Sequence, residues 1–288
     1  MISLAAASRG FSLVELVIVI VILGIVSLTV GNIVSTGTKI YVDATERDQM
    51  LSESRFVVER LNRELRMAVP NSARVIQSVS DPDNKIQCLE FVPTQWVTFY
   101  TQLPTLPDSS TTVNVVELVD SHANFSLQSG DFALVYPTSN DDVYDLSNNK
   151  RKPITACTDA GDGDCSTADA ANHLAQLTVT AAFADGSPAS RLYIVRQAIS
   201  YCARDGGIYR HVSVDSDGHN TINASQTLYA SGGTLMAENL VNDLSSDLPF
   251  RVYEATLNRN GLVQVWLAFE YNDEIVNYSN EVHIPNVP

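Results

Sequence analysis

A long uncharged segment near the N-terminus constrains this chain more than any other feature. Residues Gly10–Glu15 read Gly-Phe-Ser-Leu-Val-Glu, and an apolar run follows as far as Val30. No charged residue occurs from Leu16 to Thr38, which is more than the roughly 20 residues that a membrane-spanning helix needs. A charge within a membrane helix costs about 2.5–3.5 kcal/mol on insertion scales. Glu15 at the start of this run therefore indicates a functional role.

The residues before the apolar run differ from those of an ordinary secretory signal. Such a signal has its small-residue cleavage site after the hydrophobic stretch, whereas Ser8-Arg9-Gly10 precedes it here. Cleavage after Gly10 would remove a short leader and leave the hydrophobic run on the mature protein. Arg9 agrees with a cytoplasmic position of this leader, because basic residues are favoured on that side of a membrane.

These residues resemble the class III signal of type IV prepilins and type II secretion pseudopilins. That signal has a glycine, then a phenylalanine, a glutamate at the fifth mature position and a long apolar run. The resemblance implies that a prepilin peptidase cleaves after Gly10 and methylates the new amino group of Phe11. It also implies that Glu15 pairs with the N-terminal ammonium of a neighbouring subunit, which would make its charge tolerable in a low dielectric. An ordinary anchor helix with a stray acid is the alternative.

From Lys39 to Val69 the pattern is that of an amphipathic helix. Apolar or small side chains recur at helical spacing on one stripe, which consists of Met50, Ser54, Val57, Leu61 and Leu65, with Val58 and Ala68 beside it. Charged side chains cover the rest of the surface, and Pro70-Asn71 ends the helical pattern. We expect the stripe to pack on the domain that follows.

Beyond Pro70, short β-type runs replace the helical pattern. They are Ala73–Val79, Cys88–Val92, Trp96–Tyr100, Val113–Val119, Asp131–Tyr136, Ala175–Thr180, Leu192–Cys202, Gly207–Val214, Phe250–Leu257, Leu262–Tyr271 and Ile275–Ile284. The segment Met236–Leu244 fits a strand or a short helix equally well. Asn258-Arg259-Asn260-Gly261 lies between two of these runs and is typical of a hairpin turn.

The sequence therefore predicts an α+β fold, in which a long N-terminal helix is docked on an antiparallel β-sheet head domain. We expect a cleaved leader at 1–10, a transmembrane and assembly half of the helix at 11–38, an amphipathic half at 39–70 and a periplasmic head at 71–288. Long loops are expected at 101–130 and 137–172.

Charge is distributed unevenly along the chain. Residues 1–70 hold seven basic and seven acidic residues, so residues 71–288 carry the whole net charge of −15. An acidic body repels phosphate backbones, and no basic stripe interleaved with aromatic residues is present. The composition thus disfavours nucleic-acid binding and suits a soluble extracytoplasmic surface.

The four cysteines, Cys88, Cys157, Cys165 and Cys202, all lie beyond the membrane segment. No Cys-x-x-Cys pair indicates zinc or redox chemistry, and disulfides are the default in an exported domain. Four cysteines allow three pairings. We favour the short loop Cys157–Cys165 together with the long connection Cys88–Cys202.

Two acidic loops raise the possibility of calcium binding, although we otherwise expect no cofactor. Oxygen ligands on a flexible turn suit Ca²⁺, and Asp159, Asp162 and Asp164 could supply them, with Asp169 as a further ligand. The second loop is Asp215–Asn220. Neither loop has the EF-hand spacing with its terminal Glu, so a solvated surface loop and an Asp-Gly turn are the favoured alternatives.

Enzymatic motifs such as a nucleophile elbow, a zinc-protease helix or a phosphate-binding loop do not occur. The strand runs at 192–214, together with the segments 263–267 and 281–288, resemble the large minor members of the family, a subgroup that includes the J-type pseudopilin, the W-type minor pilin and the O-type protein of mannose-sensitive haemagglutinin (MSHA) pilus biogenesis. The leading hypothesis is a non-enzymatic minor pilin of an MSHA-type pilus. It would reside in the inner membrane with a periplasmic head and then join a fibre with other pilins. A minor pseudopilin of a type II secretion system, a tip adhesin and a membrane-anchored periplasmic enzyme are the alternatives, the last being the weakest.

Overall fold

The computed structural model describes residues 12–78, 85–116, 125–159, 174–255, 259–272 and 274–285. One long helix, α1 (Leu13–Arg66), is followed by an antiparallel β domain, so the fold is α+β. The chain divides into two compact units, Met1–Ser52 and Glu53–Pro288. The last turns of α1 therefore belong to the same unit as the strands.

Fourteen strands lie in the described part of the chain. They are β1 (Arg74–Ser78), β2 (Ile86–Phe91), β3 (Thr94–Gln102), β4 (Thr112–Val116), β5 (Phe132–Val135), β6 (Arg151–Asp159), β7 (Leu174–Val179), β8 (Arg191–Val195), β9 (Ile199–Arg204), β10 (Gly207–Val212), β11 (Thr234–Ala237), β12 (Phe250–Tyr253), β13 (Gly261–Tyr271) and β14 (Glu274–Ile284). A short helix, α2 (Asn140–Tyr144), and a 3-10 turn (Leu146–Asn148) connect β5 to β6.

The strands form three assemblies. A five-stranded sheet has the order β1-β2-β9-β10-β11, a three-stranded sheet has the order β12-β13-β14, and a closed barrel has the order β3-β4-β7-β6-β5-β8. Since β2 and β9 are neighbours, the whole barrel, residues 94–195, is an insertion between two adjacent strands of the five-stranded sheet. Closure of the barrel leaves it without an exposed strand edge.

The barrel has its own hydrophobic core. Fully buried apolar side chains from four of its strands fill its interior, namely Val113, Val115, Ala133, Val135, Leu177, Leu192 and Ile194. An ion pair between Arg196 and Asp131, with 2.6 Å between Nε and Oδ1, holds the chain where it leaves the barrel. The barrel is thus a packed module rather than an open channel.

The predicted antiparallel pairing of the C-terminal hairpin is confirmed, although β12 ends at Tyr253 and not at Leu257. Asn258 of the predicted turn lies outside the described residues. β12 and β13 pair antiparallel, with Tyr253 opposite Leu262. On β13, Val263, Val265, Leu267 and Phe269 are buried, as the alternating pattern predicts. The segment Met236–Leu244, which the pattern left open, begins in β11 and continues without regular structure.

Two of the sequence-based expectations were wrong in detail. The predicted single strand Leu192–Cys202 is two strands, because β8 belongs to the barrel and β9 to the five-stranded sheet. The expected loop 137–172 contains α2 and β6. Ser139 caps α2 through a capping box with Asp142, and β6 includes Pro153, which lies opposite Phe132.

Candidate functional site

The N-terminus of α1 is capped by Ser12. The backbone N–H of Glu15 donates to Ser12 Oγ at 3.2 Å, and the N–H of Leu16 donates to the carbonyl of Ser12 at 3.2 Å. This is the Ser-x-x-Glu arrangement that starts many helices. Glu15 lies in the first turn and is exposed, where the helix dipole favours a negative charge. Gly10 and Phe11 lie outside the described residues.

The N-terminal part of α1 presents a continuous apolar surface. Every residue from Ser12 to Gln49 is exposed, including large apolar side chains such as Leu13, Leu28 and Ile33. Among the described residues, α1 is the one helix that is long and apolar enough to cross a membrane. An apolar surface of this extent is typical of a membrane or protein contact, and it is consistent with membrane anchoring.

The last turns of α1 have buried contacts with the strands. Val57, Leu61 and Leu65 from the predicted stripe are fully buried. Ser54, also on that stripe, donates through Oγ to the phenolic oxygen of Tyr278 on β14 at 2.9 Å. The amphipathic pattern thus correctly identifies the buried side of this segment.

Glu64 connects α1 to the five-stranded sheet. Its Oε2 accepts hydrogen bonds from the Tyr201 hydroxyl on β9 at 3.0 Å and from Arg210 Nε on β10 at 3.1 Å, while Oε1 accepts from Arg60 Nε at 3.0 Å. Burial, followed by the negative charge of Glu64, raises the pKa of Tyr201 well above its usual value. The hydroxyl is therefore a donor at every physiological pH.

No sequence pattern revealed the largely buried ion pair that Arg74 of β1 forms with Glu90. Arg74 donates through Nε to Glu90 Oε1 at 2.8 Å, and its guanidinium lies 3.4 Å from the centre of the Tyr144 ring. Burial raises the pKa of Glu90, while Arg74 opposes that rise. Ser200 completes the cluster by donating to Glu90 Oε2 at 3.0 Å.

Arg151 is an almost fully buried cation. Its guanidinium donates to the carbonyl of Ile222 at 3.0 Å and to that of Tyr144 at 3.1 Å. Burial lowers the pKa of Arg151 to about 10, so it stays charged at neutral pH. Both acceptors are backbone carbonyls, one 71 residues away and the other at the end of α2. Because every residue has a backbone carbonyl, no sequence pattern revealed this site.

The structure contains a disulfide between Cys88 and Cys202, which lie opposite each other on β2 and β9. It crosses the pair of strands between which the barrel is inserted. Cys157 on β6 is also disulfide-bonded. Cys165 lies outside the described residues.

The calcium predictions fall largely outside the described part of the chain. Asp159 ends β6, whereas the remaining predicted ligands of that loop, Asp162, Asp164 and Asp169, lie in the segment 160–173. In the second loop, ligand atoms of Asp215, Asp217 and His219 lie within 4.8 Å of one another, and all three residues are exposed. Calcium binding stays a prediction.

The Asp215 carboxylate stabilises the turn of that second loop. It accepts hydrogen bonds from the backbone N–H groups of His219 at 2.8 Å and of Asp217 at 2.9 Å. These bonds, led by the one from His219, lower the pKa of Asp215. The Asp217-Gly218 sequence therefore lies in a turn, which is the alternative to calcium binding that the sequence favours for this loop.

Comparison with known proteins bears on the N-terminal segment. Residues 6–31 match the family described as the prokaryotic N-terminal methylation motif. No curated protein and no solved structure matches the chain. The matched residues include Glu15 and the first turns of α1. The match supports a type IV prepilin-like signal, and with it a pilin-like protein that associates with pilus components and is processed by a prepilin peptidase.

Proposed function

We propose that this chain is a non-enzymatic minor pilin that takes part in the assembly of a type IV pilus, with an MSHA-type pilus as the specific system. The observation that carries the proposal is the methylation motif at residues 6–31, placed at the start of a helix whose apolar side chains are exposed as far as residue 49. A prepilin-like motif favours a structural subunit over an enzyme.

In this proposal, prepilin peptidase cleaves after Gly10 and methylates Phe11. The apolar half of α1 then holds the subunit in the inner membrane, with its head in the periplasm. The segment of α1 from Glu53 onward is docked on the head, and the contacts of Ser54 and Glu64 support this arrangement. The first half of the helix remains free to pack against other pilins.

Glu15 provides the register of assembly. Its carboxylate would pair with the N-terminal ammonium of an adjoining subunit, because an unpaired charge among apolar helices is strongly disfavoured. The test is Glu15→Gln, which retains the shape of the side chain and removes its charge. We expect normal membrane insertion and at least a tenfold loss of incorporation into sheared fibres.

The matched control is Glu46→Gln, since Glu46 is an exposed glutamate of α1 beyond the uncharged segment. This variant should be incorporated normally. Normal incorporation of Glu15→Gln would refute the register role. The incorporation experiment can be repeated in a strain whose only pilus-like machine is a type II secretion system. Incorporation in that strain distinguishes a pseudopilin from a pilin.

The inserted barrel favours a tip adhesin as the second candidate function. Residues 94–195 form a closed module with its own core, and a fibre subunit needs no such insertion for packing through α1. Binding of purified protein to host-surface glycans and proteins tests this function. A variant in which the barrel is replaced by a short Gly-Ser linker should lose the binding and retain incorporation into the fibre.

A further inference from the structure

The free edge of β12 faces a cleft. β12 pairs only with β13 among the described strands, so it is the edge of the three-stranded sheet, and β1 is the edge of the five-stranded sheet. Between them lies a cleft of about 590 Å³ that is open to solvent. Its walls include Arg74 and Val75 at the edge of β1, Val252 and Glu254 beside the edge of β12, and the start of α2 at Asn140.

The register of β12 determines which of its backbone groups point into this space. The N–H of Trp266 donates to the carbonyl of Pro249 at 2.8 Å, and Phe250 lies opposite Val265. In an antiparallel pair, hydrogen-bonded and non-hydrogen-bonded positions alternate. The N–H and C=O groups of Phe250 and Val252 therefore point away from β13, toward the free edge.

At Phe250 the free edge is already occupied by a side chain. The buried amide of Gln87 accepts from the N–H of Phe250 at 2.9 Å and donates to its carbonyl at 2.9 Å. The amide thus takes the place of a peptide group on a neighbouring strand. Two residues further along, no described residue provides a hydrogen bond to the N–H or C=O of Val252, and the cleft begins there.

The rim of the cleft carries unneutralised negative charge. Asp141 and Glu254 line its open end, both are exposed, and neither forms an ion pair with a described residue. Arg74 also lines this end, but its guanidinium is paired with Glu90. A ligand of this cleft would therefore gain from positive charge.

We propose that β12 and this cleft bind an extended segment of a partner protein, which adds to the sheet as a strand. Its backbone pairs with Val252, immediately after the position that Gln87 occupies, and its Lys or Arg side chains lie near Asp141 and Glu254. Strand addition of this kind obtains affinity from main-chain hydrogen bonds and specificity from alternate side chains. The site lies in the head and does not depend on the role of α1 in fibre assembly.

The test uses the full chain in detergent and a synthetic peptide, Thr-Val-Lys-Val-Lys-Val-Thr, as the ligand. We expect saturable binding in fluorescence anisotropy, and at least tenfold weaker binding of the peptide with Glu in place of Lys. Amide exchange of the wild-type protein should become slower at Val252 when the lysine peptide is present. Absence of binding at 1 mM peptide, or unchanged exchange at Val252, would overturn the proposal.

Two variants separate strand addition from general attraction of a cation to an acidic protein. Val252→Pro removes the free-edge donor without breaking a bond to β13, and should weaken binding about tenfold, the equivalent of one hydrogen bond. Glu254→Lys should weaken binding by a similar factor. Glu238 is an exposed glutamate outside the cleft, so Glu238→Lys should leave the affinity for the lysine peptide within about twofold of the wild type.

Equal weakening by Glu254→Lys and Glu238→Lys would overturn the proposal, and so would full affinity of a folded Val252→Pro protein. Circular dichroism establishes that each variant is folded. If Val252→Pro does not fold, the exchange rate at Val252 in the wild-type protein decides between the outcomes.

Discussion

Removing the carboxylate of Glu64 should destabilise the head more than removing any exposed carboxylate of α1. Glu64 accepts from Tyr201 and Arg210, which come from two strands of the five-stranded sheet. Its third bond, to Arg60, is a partly exposed pair one helical turn away. Glu64→Ala therefore leaves a buried hydroxyl and a largely buried guanidinium without their acceptor.

The magnitude follows from these three contacts. A hydrogen bond to a charged group contributes about 1.5–3 kcal/mol, whereas an exposed pair at i,i+4 contributes about 0.3–0.5 kcal/mol. Part of the loss is recovered when water reaches the freed groups, so we expect Glu64→Ala to lower the free energy of unfolding by about 3 kcal/mol. Glu64→Gln retains an acceptor and should lose about half as much.

The assay is urea unfolding of the full chain in detergent, followed by tryptophan fluorescence. Glu59→Ala is the matched control, because Glu59 is an exposed glutamate of the same helix. It should change the free energy of unfolding by less than about 0.5 kcal/mol. A cycle that combines Glu64→Ala with Tyr201→Phe should give a coupling free energy of about 1–2 kcal/mol. Equal effects of Glu64→Ala and Glu59→Ala would refute the reasoning.

Three further predictions concern the head. Burial, and secondarily Arg204, lowers the pKa of His211 to about 4. Because the same histidine in the unfolded chain binds its proton near pH 6.5, the free energy of unfolding should fall as the pH drops from about 6.5 to about 4. The fall should be smaller in His211→Phe. Replacing Cys88 and Cys202 by Ala should lower the free energy of unfolding by about 4 kcal/mol, since the bond closes a loop of 114 residues. Gly233→Ala should cost about 2 kcal/mol more than Gly232→Ala, because both glycines have positive φ but only at Gly233 would a Cβ lie 2.5 Å from the His211 ring.

Each of these predictions has a result that contradicts it. Chemical unfolding at pH 7 and at pH 4.5 gives the free energy of unfolding that is lost in acid. If His211→Phe loses as much as the wild type, His211 is not the source of that loss. The exposed His219→Gln should behave as the wild type. A loss below 1 kcal/mol for the double alanine variant would contradict the role of the disulfide, and equal costs at the two glycines would contradict the contact with His211.

The elements that the sequence predicts well are those set by local periodicity. Val57, Leu61 and Leu65 recur at helical spacing and are buried. The alternation on β13 is equally clear, since Val263, Val265 and Leu267 lie on one buried face. The methylation motif was also accessible from sequence alone, because its residues are contiguous.

The remaining features depend on contacts between distant residues. The partners of Glu64 lie 137 and 146 residues away, so nothing in α1 distinguishes this glutamate from its neighbours. β6 begins with Arg151, Lys152 and Pro153, which argue against a strand. Arg151 is accommodated because it donates to carbonyls of other segments. Pro153 is accommodated because it lies opposite Phe132 at a non-hydrogen-bonded position of the pair, since the neighbouring N–H of Ile154 donates to the carbonyl of Asp131. Barrel closure joins β3 to β8 across 92 residues at Phe99 and Arg191 and 101 residues at Thr94 and Val195, a pairing for which sequence patterns give no signal.

The mature N-terminus tests the central claim most directly. Intact-mass measurement and N-terminal sequencing of protein from the membrane fraction should find a chain that begins at Phe11 and carries one added methyl group. Gly10→Val should retain the leader and remain unmethylated. The account would be contradicted if the mature wild-type protein still began at Met1, carried no added methyl group and was never found in fibres.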